Sequence, residues 1–244
     1  MEESAAFFTK NQDRARNVLS LLADEKSRKV WEAAVRYRVD RTPIAPELYS
    51  GKEQYFVKDL LQISDGEVFI DGGAYVGDTI KQFTSIAQKQ NIQYKKIIAF
   101  EPDEKNYRLL AKFYGGKEKI DLIKKGLSTH EETLYFTEAG VGSHVVADEK
   151  KAAYQISVIN IDAIESCKEA TWIKMDIEGS EMQALEGARE TIKNNRPKLT
   201  ICIYHSDEDM IQIIEYIYSL VPEYQLYVRH HSKDAVDTVL YAHI

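Results

Sequence analysis

The chain has 244 residues, 44% apolar and 29% charged, enough for one sizeable domain with a substantial core and unlike a disordered or fibrous composition. Its 39 acidic against 32 basic residues give a net charge of −7, which argues against the dense Lys/Arg face that nucleic acid or an anionic membrane requires. No apolar run approaches the roughly 18 residues of a membrane span, and the acidic start MEESAAFFTKNQDR lacks the basic-then-apolar order of a signal peptide, so a cytoplasmic protein without a nucleic-acid partner is expected.

Two helices are predicted first. RARNVLSLLA carries clustered apolar positions, and DEKSRKVWEAAVRY opens on Asp24, a capping residue, with Val30, Ala34 and Tyr37 at helical spacing. VDRTPIAPELYSGKEQ, with two prolines and a glycine, reads as a loop, and YFVKDLLQI as a short helix. Residues 1–62 are therefore expected to form an N-terminal helical cap, which leaves room for a homodimer through these helices, and 63–244 the main domain.

From Glu67 the pattern changes. Strands are predicted at EVFIDG, KKIIAFE, KIDLIKKG, TWIKMDI and KLTICIY, and helices over about 78–88, 103–114, 180–194 and 207–220. Near-continuous apolar strands separated by helices require a parallel sheet covered on both faces. YQLYVRHHSKDAVDTVLYAHI instead reads as an antiparallel pair joined at Ser232, Lys233 and Asp234, and the stretch from Ser128 to Ile161 as loops with short strands such as ETLYF. Cys167 and Cys202 read as buried thiols, the latter inside an apolar strand.

In an open α/β sheet, ligands bind outside the carboxyl ends of the strands. The first strand leaves through VFIDGGAYVGDTI. A dinucleotide fingerprint would need glycine where Ala74 stands between Gly72 and Gly77, and no Gly-Lys-Ser/Thr follows for a P-loop. What remains is an acid at the strand tip, Asp71, a close turn at Gly73, and Gly77-Asp78-Thr79 opening a helix. A helix N-terminus suits a carboxylate and Asp71 an ammonium, so the turn suits S-adenosylmethionine. Glu101, at the tip of the second strand in AFEPDEKNY, is placed to accept both ribose hydroxyls.

At the fourth strand, WIKMDIEGSE runs into a helix with Ser180 and Gln183 as a capping box. Asp176 and Glu178, two apart in an extended segment, would project the same way from the strand tip. His205 ends the next strand, KLTICIYH, and is the candidate general base because an imidazole titrates near neutrality. The same three groups could alternatively collect a divalent cation, although no metal is expected. His144, His230 and His231 read as loop or edge residues.

DGGAYVGDT, AFEPDEKNYRLL, VINIDAI and WIKMDIEGSEMQALEGARETIKNNRPKLTICIYH together resemble the FkbM family of S-adenosylmethionine-dependent methyltransferases. The resemblance covers about residues 67–205 and rests most on the run Lys174, Asp176, Glu178, Gly179 and Glu181. It implies a class I methyltransferase fold: α/β, Rossmann-like and doubly wound, a mostly parallel seven-stranded sheet with an antiparallel last strand. It implies a cofactor site of Asp71, Gly72, Gly73, Ala74, Tyr75, Gly77, Asp78, Thr79, Glu101, Pro102, Asp103 and Asp176, with Gly126, Leu127 and Ser128 at the adenine and Ser143 near the amino-acid moiety. Tyr75 stands where the family usually has Asn; its ring face could attract the sulfonium. The expected activity is O-methylation of a hydroxyl on a sugar, a glycan or a small natural product, with Asp176, Glu178 and His205 as catalytic candidates. An NAD(P)-dependent oxidoreductase and a non-catalytic cofactor-binding module are the alternatives.

Overall fold

The computed structural model describes residues 1–51, 53–136, 145–146, 154–233 and 236–244. Three helices lead: α1 (Glu2–Lys10), α2 (Gln12–Leu21) and α3 (Glu25–Asp40). As its sequence predicts, α3 starts at Asp24, whose side chain accepts a hydrogen bond from the Ser27 N–H, and it ends on Arg41 at φ 63°. The main sheet then begins with β1 (Val68–Gly72), followed by α4 (Asp78–Gln90), β2 (Lys96–Phe100), α5 (Glu104–Tyr114) and β3 (Ile120–Ile123). A second, smaller sheet follows: β4 (Gly126–Leu127), β5 (Glu132–Phe136), β6 (Val145–Val146) and β7 (Tyr154–Ile159). Return to the main sheet comes through β8 (Trp172–Met175), α6 (Glu181–Glu186), α7 (Arg189–Asn195), β9 (Lys198–Cys202), α8 (Asp209–Leu220), β10 (Gln225–His230) and β11 (Thr238–His243).

The main sheet has seven strands in the order β10-β11-β9-β8-β1-β2-β3. β3, β2, β1, β8 and β9 pair in parallel, and β11 is antiparallel to both β9 and β10. The doubly wound sheet with an antiparallel last strand is therefore observed. Alternate residues of each strand enter opposite cores, as the period of two demands. Val68, Ile70 and Ile173 join one core with α6, α7, α8 and the N-terminal helices, while Phe69 and Trp172 join the other with Ile80 and Phe83 of α4.

The segment from Ser128 to Ile161, read as loops with short strands, has the strand expected at ETLYF as β5, but its strands join β4 in a sheet of their own, β4-β7-β5-β6, and are not isolated pieces of loop. Two further expectations differ from the structure. The short helix expected at YFVKDLLQI is a strap with one turn at residues 58–60. Its buried residues, Tyr55, Phe56, Leu61 and Ile63, follow the surface of the second core and not a helical stripe. The single helix expected over 180–194 is two, interrupted at Gly187, where a Cβ would lie 2.0 Å from the Ser128 carbonyl oxygen. Phe8, Val18, Leu22, Val30 and Trp31 of the N-terminal segment are buried against the protein's own core. Among the described residues no helix is long and apolar enough to cross a membrane.

Candidate active site

β1, β2, β8 and β9 bring the predicted residues together because they are neighbours in one parallel sheet and release their chains at the same edge. Asp71 and Lys174 are register partners on β1 and β8. Lys174 Nζ lies 3.1 Å from Asp71 Oδ1, and both side chains are fully buried. The ammonium also donates to the carbonyls of Gly72 (3.0 Å) and Gly73 (2.8 Å). Burial acts against its charge, but the carboxylates of Asp71 and Asp176 raise its pKa. Asp71, expected to meet a ligand ammonium, thus has an internal cation as its partner, and Lys174 ties the first turn to the fourth strand.

That turn is built on left-handed backbone: Gly73 at φ 76°, Tyr75 at 49° and Gly77 at 91°. A Cβ on Gly73 would lie 2.0 Å from the Asp176 carbonyl oxygen, so the glycine lets two strand exits touch. The Ala74 side chain is buried in the second core, whereas the Tyr75 ring is 56% exposed. α4 starts at Gly77 with no side-chain cap, leaving its first N–H groups free of a capping side chain; Asp78 is exposed and Thr79 buried. At the tip of β2, Glu101 accepts the Tyr75 N–H on Oε2 (2.8 Å) and the Asp103 N–H on Oε1 (2.9 Å). Burial raises its pKa. Asp103 spends its own carboxylate capping α5 through the Asn106 N–H, 2.8 Å away. Gly126 comes close to Pro102, and Leu127 packs toward Gly72, so β4 joins this edge. Ser128, buried, donates its N–H to the Ile159 carbonyl. Ser143 and His144 lie outside the described residues.

Past β8, Asp176 receives one hydroxyl on each oxygen: Tyr55 on Oδ2 at 2.7 Å and Tyr204 on Oδ1 at 3.1 Å. Burial acts to raise its pKa, but Lys174, these hydroxyls and His205 hold it below the usual carboxylate range. The expected extended segment is instead a turn, with Glu178 at φ 59° and its side chain 91% exposed. The expected Ser180–Gln183 box is also absent. Glu181 does that work from the first residue of α6, accepting the Ile177 N–H (2.7 Å) and the Gly179 N–H (3.0 Å).

His205 sits among three carboxylates. Its Nδ1 is 3.2 Å from Glu181 Oε1, and its Nε2 is 3.5 Å from Asp176 Oδ1 and 3.7 Å from Glu178 Oε2. Burial acts to lower its pKa, but Glu181, Asp176 and Glu178 raise it above the ordinary 6.5. Arg38 of α3 holds this loop by donating to Asp207 (2.8 Å) and to the Tyr204 carbonyl. Both ring nitrogens are buried, with Nε2 turned toward Asp176 and the exposed Glu178. A buried carboxylate beside Nδ1 is an arrangement in which an imidazole takes a proton at Nε2 and the acid stabilises the cation that forms. Asp176, Glu181 and His205 also bring ligand-type atoms within 4.8 Å of one another. The oxygens of Asp176 and Glu181 already accept four hydrogen bonds from protein donors, however, so a cation there would compete with them.

Three residues of this edge escaped the sequence reading: Tyr55, Tyr204 and Arg38. Glu181 stands in that reading only within the resembling run, without the role of partner to His205 that the structure gives it. His230 and His231 belong to the far end of the sheet, where they bond Thr238 and Gly51. Both cysteines are buried, and burial pushes Cys167 up to about 12.

A family model of the FkbM methyltransferase domain matches residues 71–231. The crystal structure of a methyltransferase FkbM from Methylobacillus flagellatus superposes with a TM-score of 0.78 at 29% identity over 98% of this chain, which spans 60% of that protein's length. Fibrillarin of Aeropyrum pernix with natively bound S-adenosyl-L-methionine scores 0.48 at 13% identity, over 80% of this chain and 75% of that one. An rRNA methylase from Streptococcus thermophilus scores 0.46 at 15% identity, over 74% and 87% respectively. No curated protein matches the chain.

Proposed function

Because the chain belongs to the FkbM methyltransferase family, we propose that it transfers a methyl group from S-adenosylmethionine to a hydroxyl of a sugar, glycan or small natural-product acceptor. The observation that carries the reading is the shared edge of β1, β2 and β8. There Glu101 reaches the first turn through the Tyr75 N–H, and Gly73 lies against the Asp176 carbonyl.

The donor set fits such a cofactor. Each oxygen of Glu101 accepts one backbone N–H and keeps a lone pair for a ribose hydroxyl. Gly77 spends its N–H on the Ala74 carbonyl, and the helix start that follows at Asp78 and Thr79 offers N–H groups to a carboxylate. Gly72, Gly73, Ala74 and Tyr75 would contribute backbone, Tyr75 also its exposed ring face, Asp176 a carboxylate facing the cofactor, and Pro102, Asp103, Gly126, Leu127 and Ser128 the neighbouring walls. Asp71 acts indirectly, by fixing Lys174. When bound, the cofactor supplies an electrophilic methyl group on an already cationic leaving group, so most of the protein's contribution is positioning, worth roughly 7–11 kcal/mol for well-aligned reactants.

The chain's own residues would then handle one proton. His205 takes it from the acceptor hydroxyl at Nε2. Asp176, held ionised by Lys174 and two tyrosines, stabilises the imidazolium, and Glu181 keeps Nδ1 protonated and the ring oriented. Glu178, exposed on its turn, is available to the acceptor. We assign residues 63–244 to cofactor binding and chemistry, and residues 1–62 to shaping the acceptor side. A homodimer through α1–α3 would have to use their outer faces.

Isothermal titration with S-adenosylhomocysteine tests the reading. Binding is expected, and heat from NAD in place of S-adenosylhomocysteine would transfer the protein to the oxidoreductases. Tight binding without methyl transfer to any hydroxylated acceptor would leave a cofactor-binding module.

A further inference from the structure

We propose that Tyr55, delivered by the strap between α3 and β1, is a positioning residue for Asp176, so that the N-terminal segment completes the catalytic edge. Its functional consequence rests on the methyltransferase reading above; its structural core does not.

Asp176 is the first acid past β8, and the hydroxyl donors that orient it come from distant parts of the chain. Tyr55 is 121 residues away, and its hydroxyl makes the shorter of the two contacts, 2.7 Å against 3.1 Å for Tyr204. Without both donors the carboxylate is free to rotate about its terminal torsion, a soft degree of freedom. With both, its Oδ1 is fixed 3.5 Å from His205 Nε2. Burial, with nearby Cys202 and Asp176, raises the Tyr55 pKa far beyond the physiological range, so the phenol remains a donor.

Tyr55 is itself held from both sides. Before it, Gln54 donates to Asp237 (3.1 Å) and its carbonyl accepts the Tyr241 hydroxyl, while the Ser50 N–H bonds the His230 carbonyl. After it, Phe56 is wedged among Phe69, Phe83 and Trp172, with ring centroids 5.3–5.7 Å away. The Tyr55 ring lies over Lys174 Nζ at 4.9 Å. Ring and hydroxyl thus have separate partners, and a phenylalanine keeps the first while deleting the second. The strap is the second tether from this part of the chain, beside the grip of Arg38 on the Tyr204 carbonyl.

The test uses the full chain with Tyr55→Phe and Tyr204→Phe. Asp176 is followed by carboxyl ¹³C NMR titration, and S-adenosylhomocysteine binding is measured across pH. Loss of a hydrogen bond to a charged group should make Asp176 titrate about 1–2 pH units higher in Tyr55→Phe, and less so in Tyr204→Phe. The low-pH loss of S-adenosylhomocysteine affinity should move up with it. In an Asp176→Asn background, Tyr55→Phe should have no further effect on affinity. An unchanged Asp176 titration in folded Tyr55→Phe, or fully additive effects in the double variant, overturns the proposal. If the wild type gives no heat with S-adenosylhomocysteine, the cofactor reading fails, and the carboxyl titration alone still decides the role of Tyr55.

Discussion

Glu101 holds two backbone N–H groups before any ligand arrives, so its carboxylate is aimed rather than recruited. Glu101→Ala should weaken S-adenosylhomocysteine binding by roughly 1.5–3 kcal/mol for each charged hydrogen bond lost, read by calorimetry; unchanged affinity in a folded variant would make it a bystander. His205 carries a sharper expectation. His205→Ala should leave cofactor affinity nearly intact and slow turnover by about 10²–10⁴-fold. Because its pKa is raised, the base is protonated at neutral pH more than a free imidazole, so the wild-type rate should climb through an acidic limb lying above pH 6.5, and the variant should lack that limb. The same shift has a stability sign. The protonated ring stabilises the fold fully below 6.5 and loses that contribution as pH rises through the raised value, a slope that His205→Ala should remove from a melting-temperature profile. If Asp176→Asn abolishes turnover while His205→Ala retains it, the base role passes to the carboxylate. His205, Asp176 and Glu101 were legible because each sits where an apolar run ends. Tyr55 and Arg38 were not, since their partners lie 121 and 166 or more residues away and nothing local marks them.

The elements were read best where packing is two-sided. β1, β2, β8 and β9 each present four or more consecutive buried residues, which a continuous apolar run announces. The strap was misread because spacing alone cannot separate a short helix from a chain following a curved core. The helix break at Gly187 was missed for a related reason: its backbone is ordinary, and the requirement for glycine comes from the Ser128 carbonyl of another element. Gly187→Ala should therefore lower the melting temperature by roughly 2–12 °C, from an overpacking cost of about 1–3 kcal/mol. Gly73→Val should be more severe. Its side chain would strike the Asp176 carbonyl at a residue with φ 76°, so loss of S-adenosylhomocysteine binding should accompany a lower melting temperature. Binding without such losses would move the ligand elsewhere.

At the scale of the whole molecule, charge is arranged in closed local sets. Asp71 answers Lys174, Asp207 answers Arg38, and Asp24 answers Arg229 at 2.6 Å. Added chelator should therefore leave the transfer rate unchanged, since the donors at Asp176 and Glu181 already come from protein; a chelator-sensitive rate restored by a divalent cation would reinstate a metal. Partial burial acts to raise the Asp24 pKa, but Arg229 and Ser27 hold it at about 2. Its contribution is then complete above the ordinary 3.8 and lost as pH falls toward 2, so acid should loosen the N-terminal helices in that window, visible by hydrogen exchange. That ion pair joins residues 205 apart in sequence. A ribosome adding 5–20 residues per second needs roughly 10–40 s to cover that distance. For that interval the nascent α1–α3 segment, with Phe8, Val18, Val30 and Trp31, waits for the α8 and β10 surfaces that α2 and α3 will cover, a sticky intermediate whose yield should respond to chaperone supply and slow translation.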